Sequence, residues 1–291
     1  MSRCHGTAEM ALKSLSEALG LLVKKPLVWM PGLFAAFSIL FTYYIITLFG
    51  SVAALAAGII LLLVFPAFLA GTYGIVIGEK SSSADFRKYA VYGYFRCLIP
   101  NVVVLMIGFV LSNTLTYILL MLGISVDTAF YFSIFLIIPL VFFFYFADIS
   151  AMVNNYAAFR AIKDSALRVT TGSISVTAFY LFNVAIFFAA SFIFSAIWSL
   201  LAVDVLTPIT QMTESEILAM SQEELLALFT SPEIISSGCM ALAICAIIFV
   251  PIFVTYKACF YKRSLLNLPA QPSQQTQQGT VDEKGRWYKY S

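Results

Sequence analysis

Along this chain, apolar positions gather into six runs free of Lys, Arg, Asp and Glu: Leu27–Phe49, Val52–Ile77, Ile99–Leu122, Thr128–Phe146, Val176–Val203 and Ile235–Tyr256. A helix rises about 1.5 Å per residue, so about 20 residues span the roughly 30 Å hydrocarbon layer. The runs are continuously apolar and do not alternate, which predicts membrane helices and argues against barrel strands. Before the first, third and fifth runs the pattern changes to a helical period. Leu12, Leu15, Leu19 and Leu22 recur on one face, with Glu9, Lys13 and Glu17 on another. Phe86, Tyr89, Ala90, Gly93 and Cys97 oppose Asp85, Lys88, Tyr92 and Arg96, and Ser82 with Asp85 forms a capping-box pattern. Phe159, Ile162, Ala166 and Val169 oppose Arg160, Lys163, Asp164 and Arg168. These three segments predict basic amphipathic helices lying in the membrane interface.

The amphipathic segments start near Glu9, Ser83 and Tyr156, an even spacing that suggests one unit used three times: an interfacial helix followed by a membrane hairpin. Between the fifth and sixth runs, Asp204–Glu233 carries two successive capping-box patterns, Thr213 with Glu216 and Ser221 with Glu224. A small helical cap is expected there, with Ser231-Pro232-Glu233 opening the last span. The expected fold is therefore all-α, with six transmembrane helices, three amphipathic interfacial helices and an outer cap. Residues 1–264 are expected to form the membrane domain and 265–291 a disordered tail.

Charge orients this layout. All 17 Lys and Arg fall at the N-terminus, in the 2–3 and 4–5 connections, or after the sixth run, together with eight of the 15 acidic residues. The opposite side holds the remaining acids: Asp127, Asp204, Glu214, Glu216, Glu223, Glu224 and Glu233. The positive-inside rule places both termini in the cytoplasm of a multi-pass cell-membrane protein. The first run follows Lys24 and Lys25 and is too long for a signal h-region, so no cleavable leader is expected.

Composition agrees: 61% of residues are hydrophobic and 11% charged, against about 45–50% and about 25% in soluble domains. It excludes a soluble enzyme and a disordered chain alike.

Candidate chemistry is sparse. His5 is the one histidine, and five cysteines lack ligand spacing, so no metal, cofactor or catalytic residue is expected. No nucleophile elbow, HExxH or P-loop occurs, which argues against an enzyme. Ion-coupled carriers place ionisable groups in the membrane, and these spans hold none; Asn113, Thr114, Thr116 and Asn183 are their strongest polar groups. Asp148, at the end of the fourth run, shares a face with Asn155, and Asn154 is adjacent. The three form a candidate polar notch for a lipid headgroup or cation, or else a boundary carboxylate that is hydrated or paired with Arg160 or another base. Gly50, Ala54 and Gly58, then Gly74 and Gly78, follow small-xxx-small spacing, which suits a close helix contact or a homo-oligomer.

The chain ends in a polar Gln-rich linker and the segment Asp282-Glu283-Lys284-Gly285-Arg286-Trp287-Tyr288-Lys289-Tyr290. Arg286, Trp287, Tyr288, Lys289 and Tyr290 interleave cations with aromatics. That pattern suits the lipid bilayer or a cytosolic protein partner; so short a patch is not expected to bind nucleic acid.

Three stretches carry a family resemblance: Lys25-Pro26-Leu27-Val28-Trp29-Met30-Pro31-Gly32, the region from Val153-Asn154-Asn155 to Ala161-Ile162-Lys163-Asp164-Ser165-Ala166-Leu167-Arg168, and the ending from Glu283 to Tyr290. In these the chain resembles an uncharacterised archaeal, methanogen-type family of six-span membrane proteins. Its layout is similar to the membrane domain attached to some glycerophosphodiester phosphodiesterases. The resemblance implies no catalysis, since no phosphodiesterase domain is present, and no active residues to carry over. The leading expectation is a non-enzymatic scaffold or accessory protein acting through its interfacial helices and tail. The alternative is a transporter or lipid-handling protein for a small apolar or zwitterionic solute. A cavity lined by Asn113, Thr116, Asn183 and Asp148 would favour transport; a lateral groove between hairpins would favour lipid handling.

Overall fold

The computed structural model describes residues 2–79, 82–210, 221, 223 and 230–266. The described residues are helical, without strands, and five helices are long and apolar enough to cross a membrane. In chain order the elements are α1 (Ser2–Lys24), a 3₁₀ turn (Pro26–Trp29), α2 (Met30–Ile77), α3 (Ser83–Met121), α4 (Val126–Phe144), α5 (Ala147–Asn154), α6 (Ala158–Thr171), α7 (Ser173–Leu201), α8 (Val203–Thr210) and α9 (Pro232–Phe260), which ends in a π turn (Tyr261–Leu265).

The first two apolar runs share α2, whose hydrogen-bonded ladder carries one non-helical residue, Gly50, at φ 82° and ψ −179°. That conformation is open to glycine alone without strain. The chain doubles back there. Phe34 and Phe68 would lie about 51 Å apart along a straight helix, yet their rings stack at 4.3 Å. Lys25 Nζ likewise reaches the Ile75 carbonyl at 3.4 Å.

A second difference concerns α3. The expected amphipathic segment and the third apolar run form one continuous helix, capped by the Ser82 hydroxyl accepting from the Ala84 amide. Nothing in the local sequence stops the helix: Pro100 removes one donor but leaves the preceding turns intact. Its amphipathic face is nevertheless the packed one, with Phe86, Gly93 and Cys97 buried. Gly74 makes room for the Tyr89 side chain at the α2–α3 contact, where any Cβ would collide with it.

Burial is concentrated at one end of the molecule. There the core joins α1, the last turns of α2, the start of α3, α5, α6, the start of α7 and residues 254–265. Away from this packed end, the large side chains of α3, α4 and α7 are mostly exposed, including Leu105, Phe109, Phe135, Phe188 and Phe192. The α3–α4 pair is pinned by Thr116 and Ser133 (2.5 Å), and Ser133 also donates to the Ala129 carbonyl.

Two amphipathic faces turn differently from their sequence pattern. In α1 the buried line is Ala11, Ser14, Ala18 and Leu22, while Leu12 and Leu19 are exposed. Small side chains let α1 approach its neighbours closely, and the leucines flank that contact. In α6 Ile162 and Val169 of the expected apolar face are buried, but so are Asp164 and Arg168, whereas Phe159 is 75% exposed. Two charges one helical turn apart neutralise each other, so a face that scores as polar can be packed. Ser231 caps α9 through the Ile234 amide, as the Ser-Pro-Glu pattern expects. Most of the expected outer cap, including the Thr213–Glu216 pattern, lies outside the described residues.

Candidate functional site

The chemically richest region lies inside the packed end. α5 is a two-turn helix set between α3 and α6, so its polar side chains face neighbours on both sides. Asp148 is 2% exposed. Its Oδ1 accepts from the Ile149 amide (2.7 Å) and from Lys257 Nζ (2.7 Å); its Oδ2 accepts from Lys257 Nζ (2.9 Å) and from the Tyr73 hydroxyl (3.0 Å). The Lys257 ammonium also stands 4.3 Å from the Tyr145 ring centroid. Desolvation would make either charge costly alone. Mutual pairing, added donors and the ring face offset that cost.

Two residues further along α5, and so on its other side, Ser150 donates to Asp164 Oδ2 at 2.5 Å, and Arg168 Nε donates to the same oxygen at 2.6 Å. Arg168 also donates to the Leu265 carbonyl in the π turn. Asn154 Nδ2 donates to the Tyr261 hydroxyl at 2.9 Å. This double network ties α2, α5, α6 and α9 into one layer. Its chemical effect is to hold charges in fixed pairs.

The structure thus separates the three residues of the candidate notch. Asp148 and Asn154 belong to adjoining buried networks. Asn155 is exposed, because it ends α5 in the left-handed conformation at φ 57° and leaves the helical face it was expected to share with Asp148. Asp148 takes Lys257 as its partner, while Arg160 stacks on Tyr156 at 4.2 Å. Nothing local in the sequence points to Lys257, Tyr73 or Tyr261, since no periodicity links positions 73, 148 and 257. The i,i+4 spacing of Asp164 and Arg168 is legible in the sequence, which sets both on the polar face of an interfacial helix; the structure buries them as a pair. Arg286, Trp287, Tyr288, Lys289 and Tyr290 lie outside the described residues.

The polar groups that would line a transport cavity do not converge. Asn113 donates to the Phe109 carbonyl and Asn183 to the Phe179 carbonyl, each within its own helix, and Thr116 is engaged with Ser133.

A lateral cleft of about 580 Å³ opens between the two arms of α2 and the start of α9. Phe34, Ile39, Ile46, Gly58, Leu62 and Ile235 are among its walls; Ser38, Thr42 and Tyr43 bring the few polar groups. Gly58 meets nothing within 4 Å of a Cβ position, so this glycine widens the cleft and does not mediate a close contact within the chain.

Among the described residues no cluster of three or more His, Cys, Asp or Glu could hold a metal ion. No family model, curated protein or solved structure matches this chain.

Proposed function

We infer that the chain is a six-crossing, non-enzymatic membrane protein that accommodates a lipid chain. The observation that carries this reading is the apolar cleft between the arms of α2 and α9, set within segments apolar enough to lie in a bilayer. A cleft of that volume and lining suits an acyl or similar hydrocarbon chain, and its few hydroxyls suit an ester or a headgroup-proximal carbonyl. The reversal at Gly50 supports counting α2 as two crossings, which brings the total to six and both termini to one face. The distribution of basic residues supports the cytoplasm of a cell membrane for that face. The exposed Leu12, Leu19 and Phe159 support an interfacial position for α1 and α6.

Photolabelling in bilayers with a phospholipid carrying a diazirine in its acyl chain tests the lipid reading. Labels are expected to concentrate on residues 34–46, 58–65 and 235–239, and to fall there in Gly58→Phe, which fills the cleft. Uniform labelling of all apolar surfaces, unchanged by that substitution, would overturn it. Cysteine accessibility at positions 51 and 125 against position 79 tests the six-crossing topology.

The scaffold role assigned to the tail is a second proposal, supported by the aromatic-basic sequence at Arg286–Tyr290. Deletion of residues 269–291 should then release a stoichiometric protein partner, detected by native mass spectrometry of the protein extracted from its own membrane.

A further inference from the structure

A second cleft, of about 300 Å³, lies where α3 passes the α5–α6 turn. Its character differs from that of the apolar cleft. Arg96 and Asn155 bring polar groups, Tyr156 forms one wall, and Phe95, Ile99 and Pro100 form an apolar floor. Arg96 has no carboxylate partner among the described residues. Its guanidinium instead stacks 4.1 Å above the Tyr92 ring, an arrangement that leaves the in-plane N–H donors available. Arg160, also without a carboxylate among the described residues, stacks on Tyr156 beside the same cleft. Two cations are therefore held by aromatic rings around a cavity, while the cations of the buried layer are paired with acids.

We propose that this cleft binds the phosphate group of a phospholipid, with Arg96 as the principal ligand and the Asn155 amide as a second donor. Arginine presents a planar fork that matches phosphate oxygens. Its position also favours lipid over a soluble anion. Arg96 is the last charged residue before the long apolar stretch of α3, the depth at which a headgroup phosphate meets the hydrocarbon boundary. From the cleft an exposed apolar line runs along α3 through Phe95, Ile99, Val102 and Met106, each about one helical turn from the last. Acyl chains lying on that line would be continuous with a phosphate at Arg96. This site shares no wall residue with the cleft between α2 and α9, and the proposal does not rest on that reading.

The test is native mass spectrometry of the intact detergent-purified protein with added phosphatidylglycerol, or with diacylglycerol of the same chains. The wild-type protein should retain one phosphatidylglycerol in clear preference to diacylglycerol. Arg96→Gln should weaken that retention about tenfold, as expected for loss of a charge-assisted contact. Asn155→Gly removes the amide without strain at a positive φ, and should weaken retention by a smaller factor. Arg87→Gln, an exposed cation outside the cleft, should leave it unchanged, as should Gly58→Phe. Thermal unfolding of each variant in the same detergent separates loss of binding from loss of fold. The proposal is overturned if correctly folded Arg96→Gln retains as much phosphatidylglycerol as the wild type, or if diacylglycerol binds equally well. Complete displacement by millimolar inorganic phosphate would overturn the lipid source and leave a soluble anion as the ligand.

Discussion

Lys257, in the last turn of α9, grips both carboxylate oxygens of Asp148, 109 positions earlier in the chain, at 2.7 and 2.9 Å. The two side chains are 9% and 2% exposed. Each charge is tolerable there because the other is present. Asp148→Asn or Lys257→Met should therefore destabilise the protein by about 3–5 kcal/mol, since each leaves the remaining charge buried and unpaired. The double variant Asp148→Leu/Lys257→Met should recover much of that loss. Thermal unfolding in a single detergent reads all three; equal stability of the single variants and wild type would refute the pairing argument.

Gly50 should resist any side chain. Its φ of 82° with ψ near 180° lies in a region that L-residues enter at a cost of about 1–3 kcal/mol. There is open space around its Cβ position, so the expected loss in Gly50→Ala is conformational and not steric. Gly58→Ala, with similar open space and an ordinary helical backbone, is the control and should be neutral or slightly stabilising. Equal melting temperatures for Gly50→Ala and Gly58→Ala would count against the reversal.

Tyr261→Phe should cost about 1 kcal/mol by removing the nearer of the two acceptors of Asn154 Nδ2, the other being Ser150 Oγ at 3.4 Å. Arg168→Lys should cost more, because a lysine keeps the charge but loses the fork that joins Asp164 to the Leu265 carbonyl. Denaturation midpoints should rank wild type above Tyr261→Phe above Arg168→Lys.

The link between the ends of α2 and α9 should be acid-sensitive. Lys262 donates to Glu79 Oε1 at 2.6 Å, and this bond, followed by the lysine's charge, holds the Glu79 carboxyl below its ordinary value near 4.5. Folding then favours the ionised form. The contribution is present above the ordinary glutamate range and is lost as pH falls through the lowered value. Glu79 is exposed, so the effect is local. Amide exchange around residues 77–79 should rise below about pH 4 in the wild type and be already raised at neutral pH in Lys262→Met.

The sequence by itself determined the helical class and the runs that could lie in a membrane, because apolar continuity over about twenty residues is a local property. It also determined the capping of α3 and α9 by Ser82 and Ser231, which depends on residues within one turn. Tertiary structure decided the rest. Gly50 looked like part of a small-residue stripe, and only its backbone conformation made it the point of reversal. Asp164 and Arg168 looked like a wetted face, and only the closeness of Ser150 and Leu265 made their burial affordable. The partnership of Asp148 with Lys257 and Tyr73 depends on three helices meeting, and no periodicity records which distant charges meet when they do.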